Sequence, residues 1–156
     1  MTGWPPNPHP LTEALREPPS AFQQHLGHRL TGWGPGYARF EMAVTPALMN
    51  RHGVPHGGVH ATLLDSAMGY AGVFPGEEEG AARPMSQTLS MSVSYLAPAG
   101  GVGLMAEGRV TGGGRRTFFT EARLRDSTGT LVATATGVFR IRGHEAPHVA
   151  PGSPDL

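Results

Sequence analysis

A chain of 156 residues with 38% hydrophobic content fits one domain with its own core and is short for two. Twelve basic residues balance twelve acidic ones and charged residues make up only 15%, which argues against the broad cationic face that nucleic acid or an anionic membrane attracts. The absence of cysteine excludes disulfides, thiolate metal sites and a cysteine nucleophile, and fits a reducing compartment.

The opening MTGWPPNPHP lacks the basic start and apolar run of a secretory signal, and no later segment reaches membrane-spanning length, so the sequence reads as cytoplasmic. Residues 1–18 read as a flexible N-terminal segment, 19–142 as a single domain, and 143–156 as a flexible, proline-containing tail. Between Pro19 and Gly27, the spacing of Ala21, Phe22, His25 and Leu26 predicts a short helix capped by Ser20. From Arg29 to Val44 the residues alternate, Tyr37, Arg39 and Glu41 opposing Ala38, Phe40 and Met42, which predicts a hairpin whose turn holds Gly32, Gly34, Pro35 and Gly36.

The longest helical pattern follows, GVHATLLDSAMGYAGVF, with Val59, Leu63, Ala67 and Tyr70 on one stripe. A second stripe of Ala61, Asp65, Gly69 and Gly72 has almost no bulk, so another backbone or a substrate can approach it, and Asp65 is its only charge. Beyond a loop with the acidic run Glu77 to Glu79, taken as solvated, four strands are predicted near Met85–Leu96, Val102–Val110, Thr117–Asp126 and Leu131–Arg142. A hairpin, a long buried helix and a four-stranded meander make an α+β protein with one sheet face against the helix.

The segment NRHGVPHGGVHATLLD concentrates the chemistry. Gly57 and Gly58 open the helix after His56, where the first amides lack internal acceptors and carry the positive end of the helix dipole. Such amides can stabilise an oxyanion; equally, the glycines can simply relieve crowding against the sheet.

Asn50, Gly53, His56, Gly57, Gly58, Leu63, Asp65 and Gly69, with the order of elements from about Ser20 to Arg142, resemble the PaaI-like branch of hotdog-fold thioesterases. The resemblance implies an antiparallel sheet wrapped around the central helix and an acyl-CoA substrate, with coenzyme A as part of that substrate and no separate cofactor or metal. It implies that the Gly57 amide binds the thioester carbonyl, that Asn50 helps to position it, and that Asp65 attacks or activates water. It also implies a small hydroxyl residue in the first strand after the helix, which aligns to Thr88, with Ser90 as the alternative. Each also has a bland reading, a strand hydroxyl bonding across the sheet. His56 reads either as orienting the carbonyl or as capping the helix. Gly58 belongs with the substrate-binding amides, and Arg115 and Arg116 in the turn after Gly112 are candidates for the phosphates of CoA or are simply solvated.

Helix geometry adds a constraint. Eight positions separate Gly57 from Asp65, a rise of roughly 12 Å, whereas attack needs about 3 Å. One chain cannot supply both groups to one carbonyl, so the expectation is a homodimer with shared sites, with a homotetramer as the further assembly implied by the resemblance.

Other readings fit less well. His52, His56 and His60 recur at steps of four, but His52 precedes Pro55 and no acidic cluster joins them. GVGLMA sits in a strand pattern without a following helix, and no GxSxG elbow occurs. A hotdog-fold hydratase or dehydratase and a noncatalytic acyl-CoA-binding module are the rivals to hydrolysis.

Overall fold

Residues 1–18 were expected to be loosely held, yet from residue 6 the segment packs against the domain. The computed structural model describes residues 6–78, 81 and 83–143; the first five residues, Glu79 of the acidic run and the tail beyond Gly143 lie outside the described residues. Asn7 Nδ2 donates to the Thr31 carbonyl at 2.8 Å and the Trp33 amide donates to the His9 carbonyl at 2.9 Å. Leu15 is buried, and Glu17 accepts from both the Tyr70 hydroxyl and Arg83 Nη1. These contacts are made by single side chains and backbone groups, which no apolar period announces.

The helix α1 (Ala21–Leu26) starts at a capping box in which the Ser20 amide donates to Gln23 Oε1 at 2.7 Å and the Gln23 amide to Ser20 Oγ at 3.2 Å. It ends at Gly27, whose φ of 81° is the left-handed cap that glycine favours. Strands β1 (His28–Gly34) and β2 (Tyr37–Ala43) form the expected hairpin. Its turn is tighter than predicted, because Gly32 and Gly34 belong to β1. They are glycines for packing: a Cβ at Gly32 would collide with Asn7, and one at Gly34 with His9.

The helix α2 (Gly57–Ala71) is followed by β3 (Met85–Tyr95), β4 (Gly103–Gly113), β5 (Thr117–Asp126) and β6 (Leu131–Arg142). The sheet is antiparallel with order β1-β2-β4-β5-β6-β3. The predicted four-stranded meander is therefore incorrect: only β4, β5 and β6 are consecutive neighbours, and β3 lies at the far edge, paired with β6. The chain reaches β4 by a crossing loop that Asp126 anchors, accepting from the Gly100 amide at 2.7 Å while it also organises the β5–β6 turn through the Thr128 and Thr130 amides.

The sheet wraps around α2. Leu63, Leu64, Ala67 and Met68 face Phe40, Leu104, Ala106, Leu124, Val132 and Phe139 in one core. With His60, Gly69 and Ala71 also buried, α2 is enclosed over more of its circumference than one stripe. Gly108 of β4 permits the closest approach, since a Cβ there would collide with the Ala67 carbonyl. The small stripe receives side chains of the sheet: a Cβ on Gly69 would lie 3.0 Å from Ser86 Oγ, and one on Gly72 would meet the Phe118 ring. No helix among the described residues is long and apolar enough to cross a membrane.

The two edges of the sheet differ. Residues 7–11 cover the edge of β1, with a bridge between Pro10 and Gly32. Nothing among the described residues pairs with the outer edge of β3, where Met85, Leu89 and Tyr95 are exposed.

Candidate active site

The start of α2 is built by the loop before it. Asn50 Oδ1 accepts from the His52 amide at 2.8 Å, the Asn50 amide donates to the Val54 carbonyl at 2.8 Å, and Gly53 turns the chain with φ of 73°. The His56 amide donates to the Leu48 carbonyl at 2.8 Å, which seats the helix start. The side-chain oxygen of Asn50 thus serves the loop, and its NH2 group has no partner among the described residues.

His56 is the N-cap: its Nδ1 accepts from the Gly58 amide at 2.9 Å, so of the two readings of this residue the capping contact is present. The Val59 amide donates to the His56 carbonyl at 2.9 Å. With Gly58 and Val59 engaged, the Gly57 amide is the donor in the first turn that lacks an acceptor among the described residues. Tyr95, on β3, stands beside it with its hydroxyl donating to the Gly57 carbonyl at 3.1 Å.

About two turns further along, half-buried Asp65 accepts from Thr88 Oγ1 at 2.8 Å. Burial raises the Asp65 carboxyl above its ordinary range, and the Thr88 bond acts in the opposite direction. A β-bulge makes this contact possible. The register with β6 shifts between Thr88 and Ser90, leaving Leu89 as the extra residue. Ser86 and Thr88, before the bulge, face α2, and Ser86 Oγ donates to the Gly69 carbonyl at 3.0 Å. Past it the parity inverts: Met91 and Val93 pack on the core, while Ser90 and Ser92 line a hollow on the outer face. Ser90, the alternative to Thr88, is therefore turned away from Asp65.

The structure brings Asp65 and Thr88 together, and His56, Gly57 and Gly58 together, but leaves the two groups at separate points along α2. Arg115 and Arg116 are exposed at the β4–β5 turn. Tyr95 and Ser86 were not singled out from the sequence; the bulge that aims them leaves no mark in composition. A cleft of about 630 Å³ lies on the outer sheet face, beside Tyr37, Ser94, Glu107 and Arg123. Its buried carboxylate, Glu107, already accepts from Tyr37 and Arg123.

The sequence profile of the Thioesterase superfamily matches residues 52–133, more than half the chain. A thioesterase family protein from Silicibacter pomeroyi is similar at 30% identity and a TM-score of 0.69, covering 80% of this chain and 90% of that one. The E. coli PaaI protein of the phenylacetic acid degradation operon is similar at 25% identity and a TM-score of 0.70, covering 80% and 86%. The BH2602 protein from Bacillus halodurans, whose structure was solved with CoA, shares the fold at 24% identity and a TM-score of 0.70, covering 83% of each chain.

Proposed function

Because this chain belongs to the thioesterase superfamily, we propose that it hydrolyses an acyl-CoA thioester to the free acid and coenzyme A at a site built on α2. It is a hotdog-fold thioester hydrolase of the PaaI-like type. The observation that carries the finer reading is the pair of groups on one helix: an amide at Gly57 without an internal acceptor, and a half-buried Asp65 carboxylate held by Thr88. The presence of CoA in the BH2602 structure fits a nucleotide thioester as substrate.

The thioester carbonyl accepts from the Gly57 N–H, with the NH2 of Asn50 as a second donor and Gly58 lining the same approach. Ionised Asp65 takes a proton from water, or attacks the carbonyl carbon itself. Negative charge collects on the carbonyl oxygen, where the helix dipole and a preorganised amide lower the barrier. The tetrahedral species collapses with loss of the CoA thiolate, a stable leaving group. In the direct-attack route, water then hydrolyses the Asp65 anhydride and regenerates the carboxylate. Arg115 and Arg116 are suited to the phosphates of CoA.

Since Gly57 and Asp65 lie roughly 12 Å apart on the helix axis, each site takes Gly57 from one protomer and Asp65 from its partner. The open, apolar edge of β3, which holds Thr88 and Tyr95, is the surface through which a second copy adds. Two such dimers form the tetramer, and the enzyme works in the cytoplasm.

A free-thiol assay over a panel of acyl-CoAs tests the reading. Asp65→Asn is expected to keep the oligomer and lower turnover by about 10²–10⁴-fold. Unchanged turnover rejects Asp65, and loss of acyl unsaturation with the thioester intact points to a hydratase instead.

A further inference from the structure

Two consecutive glycines give the start of α2 the greatest backbone freedom a helix can have. A donor lowers a barrier most when it is aimed before the charge develops. Something must therefore hold the Gly57 and Gly58 peptides in place. His56 does so from one side, its Nδ1 accepting from Gly58 at 2.9 Å.

From the other side comes Tyr95, the last residue of β3. Its hydroxyl donates to the Gly57 carbonyl at 3.1 Å, and a Cβ on Gly57 would lie only 3.2 Å from its ring. The ring is flanked by that of His60, one turn into the helix, with centroids 6.1 Å apart; His60 is 5% exposed, so it is a fixed support. Tyr95 itself is 56% exposed. Its hydroxyl goes to a single backbone group, the Gly57 carbonyl, beside the Gly57 N–H that lacks an acceptor among the described residues.

We propose that Tyr95 is a positioning residue for thioester hydrolysis, clamping the Gly57–Gly58 peptide unit and so fixing Gly57, whose own N–H points at the incoming carbonyl. His56 and Tyr95 hold the two ends of that one unit: the first accepts from the Gly58 N–H and the second donates to the Gly57 carbonyl. The Gly57 N–H sits on the preceding unit, joined to the held one through a single Cα, and is left as the donor. The kinetic consequence rests on the thioesterase reading; the clamp rests on the geometry of this turn.

Tyr95→Phe keeps the ring and removes the hydroxyl. It is expected to lower kcat about fivefold, the size of one lost neutral hydrogen bond, with KM and the acid limb of the pH profile unmoved. Amide hydrogen exchange at Gly58, followed by NMR, is expected to accelerate by a similar factor whether or not substrate is present. A kcat within about twofold of wild type, or an unchanged Gly58 exchange rate, overturns the clamp. Faster Gly58 exchange in a protein that releases thiol from no acyl-CoA would uphold the clamp and reject the thioesterase reading.

Discussion

Asp65 is pulled in two directions, and this shapes how a reaction that depends on its charge responds to pH. Burial favours the neutral acid, while the Thr88 hydroxyl at 2.8 Å favours the carboxylate. In the proposed mechanism the rate rises as Asp65 loses its proton, so the acid limb lies above the ordinary aspartate value of about 3.9. Thr88→Val keeps the shape of the side chain and removes the donor. The carboxylate then loses its stabilising bond, its pKa rises further, and the acid limb moves to higher pH, with the plateau kept within about an order of magnitude. A kcat/KM profile across the acid range checks this, and a limb that stays in place would assign it to another group. At this scale the sequence displayed residue types well and their partners poorly. Asp65 stood out as the charge on a stripe of small residues. That Asn50 Oδ1 would bond its own loop, and that the capping contact of His56 would be the one present, depended on a backbone path through Gly53 that residue spacing does not encode.

Strands and helices were legible wherever a period dominated. The Ser20 cap emerged from its residue type, and α2 and the strands emerged near their observed bounds because full or partial burial imposes helical spacing or alternation on most of them. Two features escaped this logic. Sequential order suggested that β3 neighbours β4, but the Asp126-anchored loop carries the chain across to another place in the sheet. In β3, Leu89, Met91, Val93 and Tyr95 alternate with Ser90, Ser92 and Ser94, and strict alternation would put Thr88 with the serines on the outer face. The extra residue at Leu89 reverses that assignment. Contact between helix and sheet depends on Gly108, where any side chain would meet the Ala67 carbonyl. Gly108→Ala is accordingly expected to destabilise the fold by about 1–3 kcal/mol, read from denaturant unfolding, because neither backbone can yield without disturbing the core around Leu63 and Met68. A loss below about 0.5 kcal/mol would mean that α2 can shift freely on the sheet.

For the molecule as a whole, the proposed division of each site between protomers has a direct genetic test. Gly57→Pro deletes the N–H while placing proline at the first helical position, which suits its fixed φ, and His56 already has the extended conformation (φ −63°, ψ 142°) that a residue before proline prefers; the Tyr95 ring, 3.2 Å from the added Cβ, has to yield slightly toward its exposed side. Gly57→Pro and Asp65→Asn should each be nearly inactive alone. Unfolded together in equal amounts and refolded, they should recover about a quarter of wild-type activity, since half the dimers are mixed and each mixed dimer holds one intact site. Two inactive proteins that stay inactive after mixing would show that each protomer works alone. In the sequence the expected assembly rests on the arithmetic of helix rise and on the family resemblance; the open edge of β3 supplies the surface proposed for a partner. The unequal margins of the sheet also bear on how far association can proceed. The strap of residues 7–11 seals one margin, so a second copy joining at β3 consumes the only strand left unpaired among the described residues. In the proposed dimer, growth by strand addition among the described residues therefore ends at two copies, which is the opposite of what a protofilament needs.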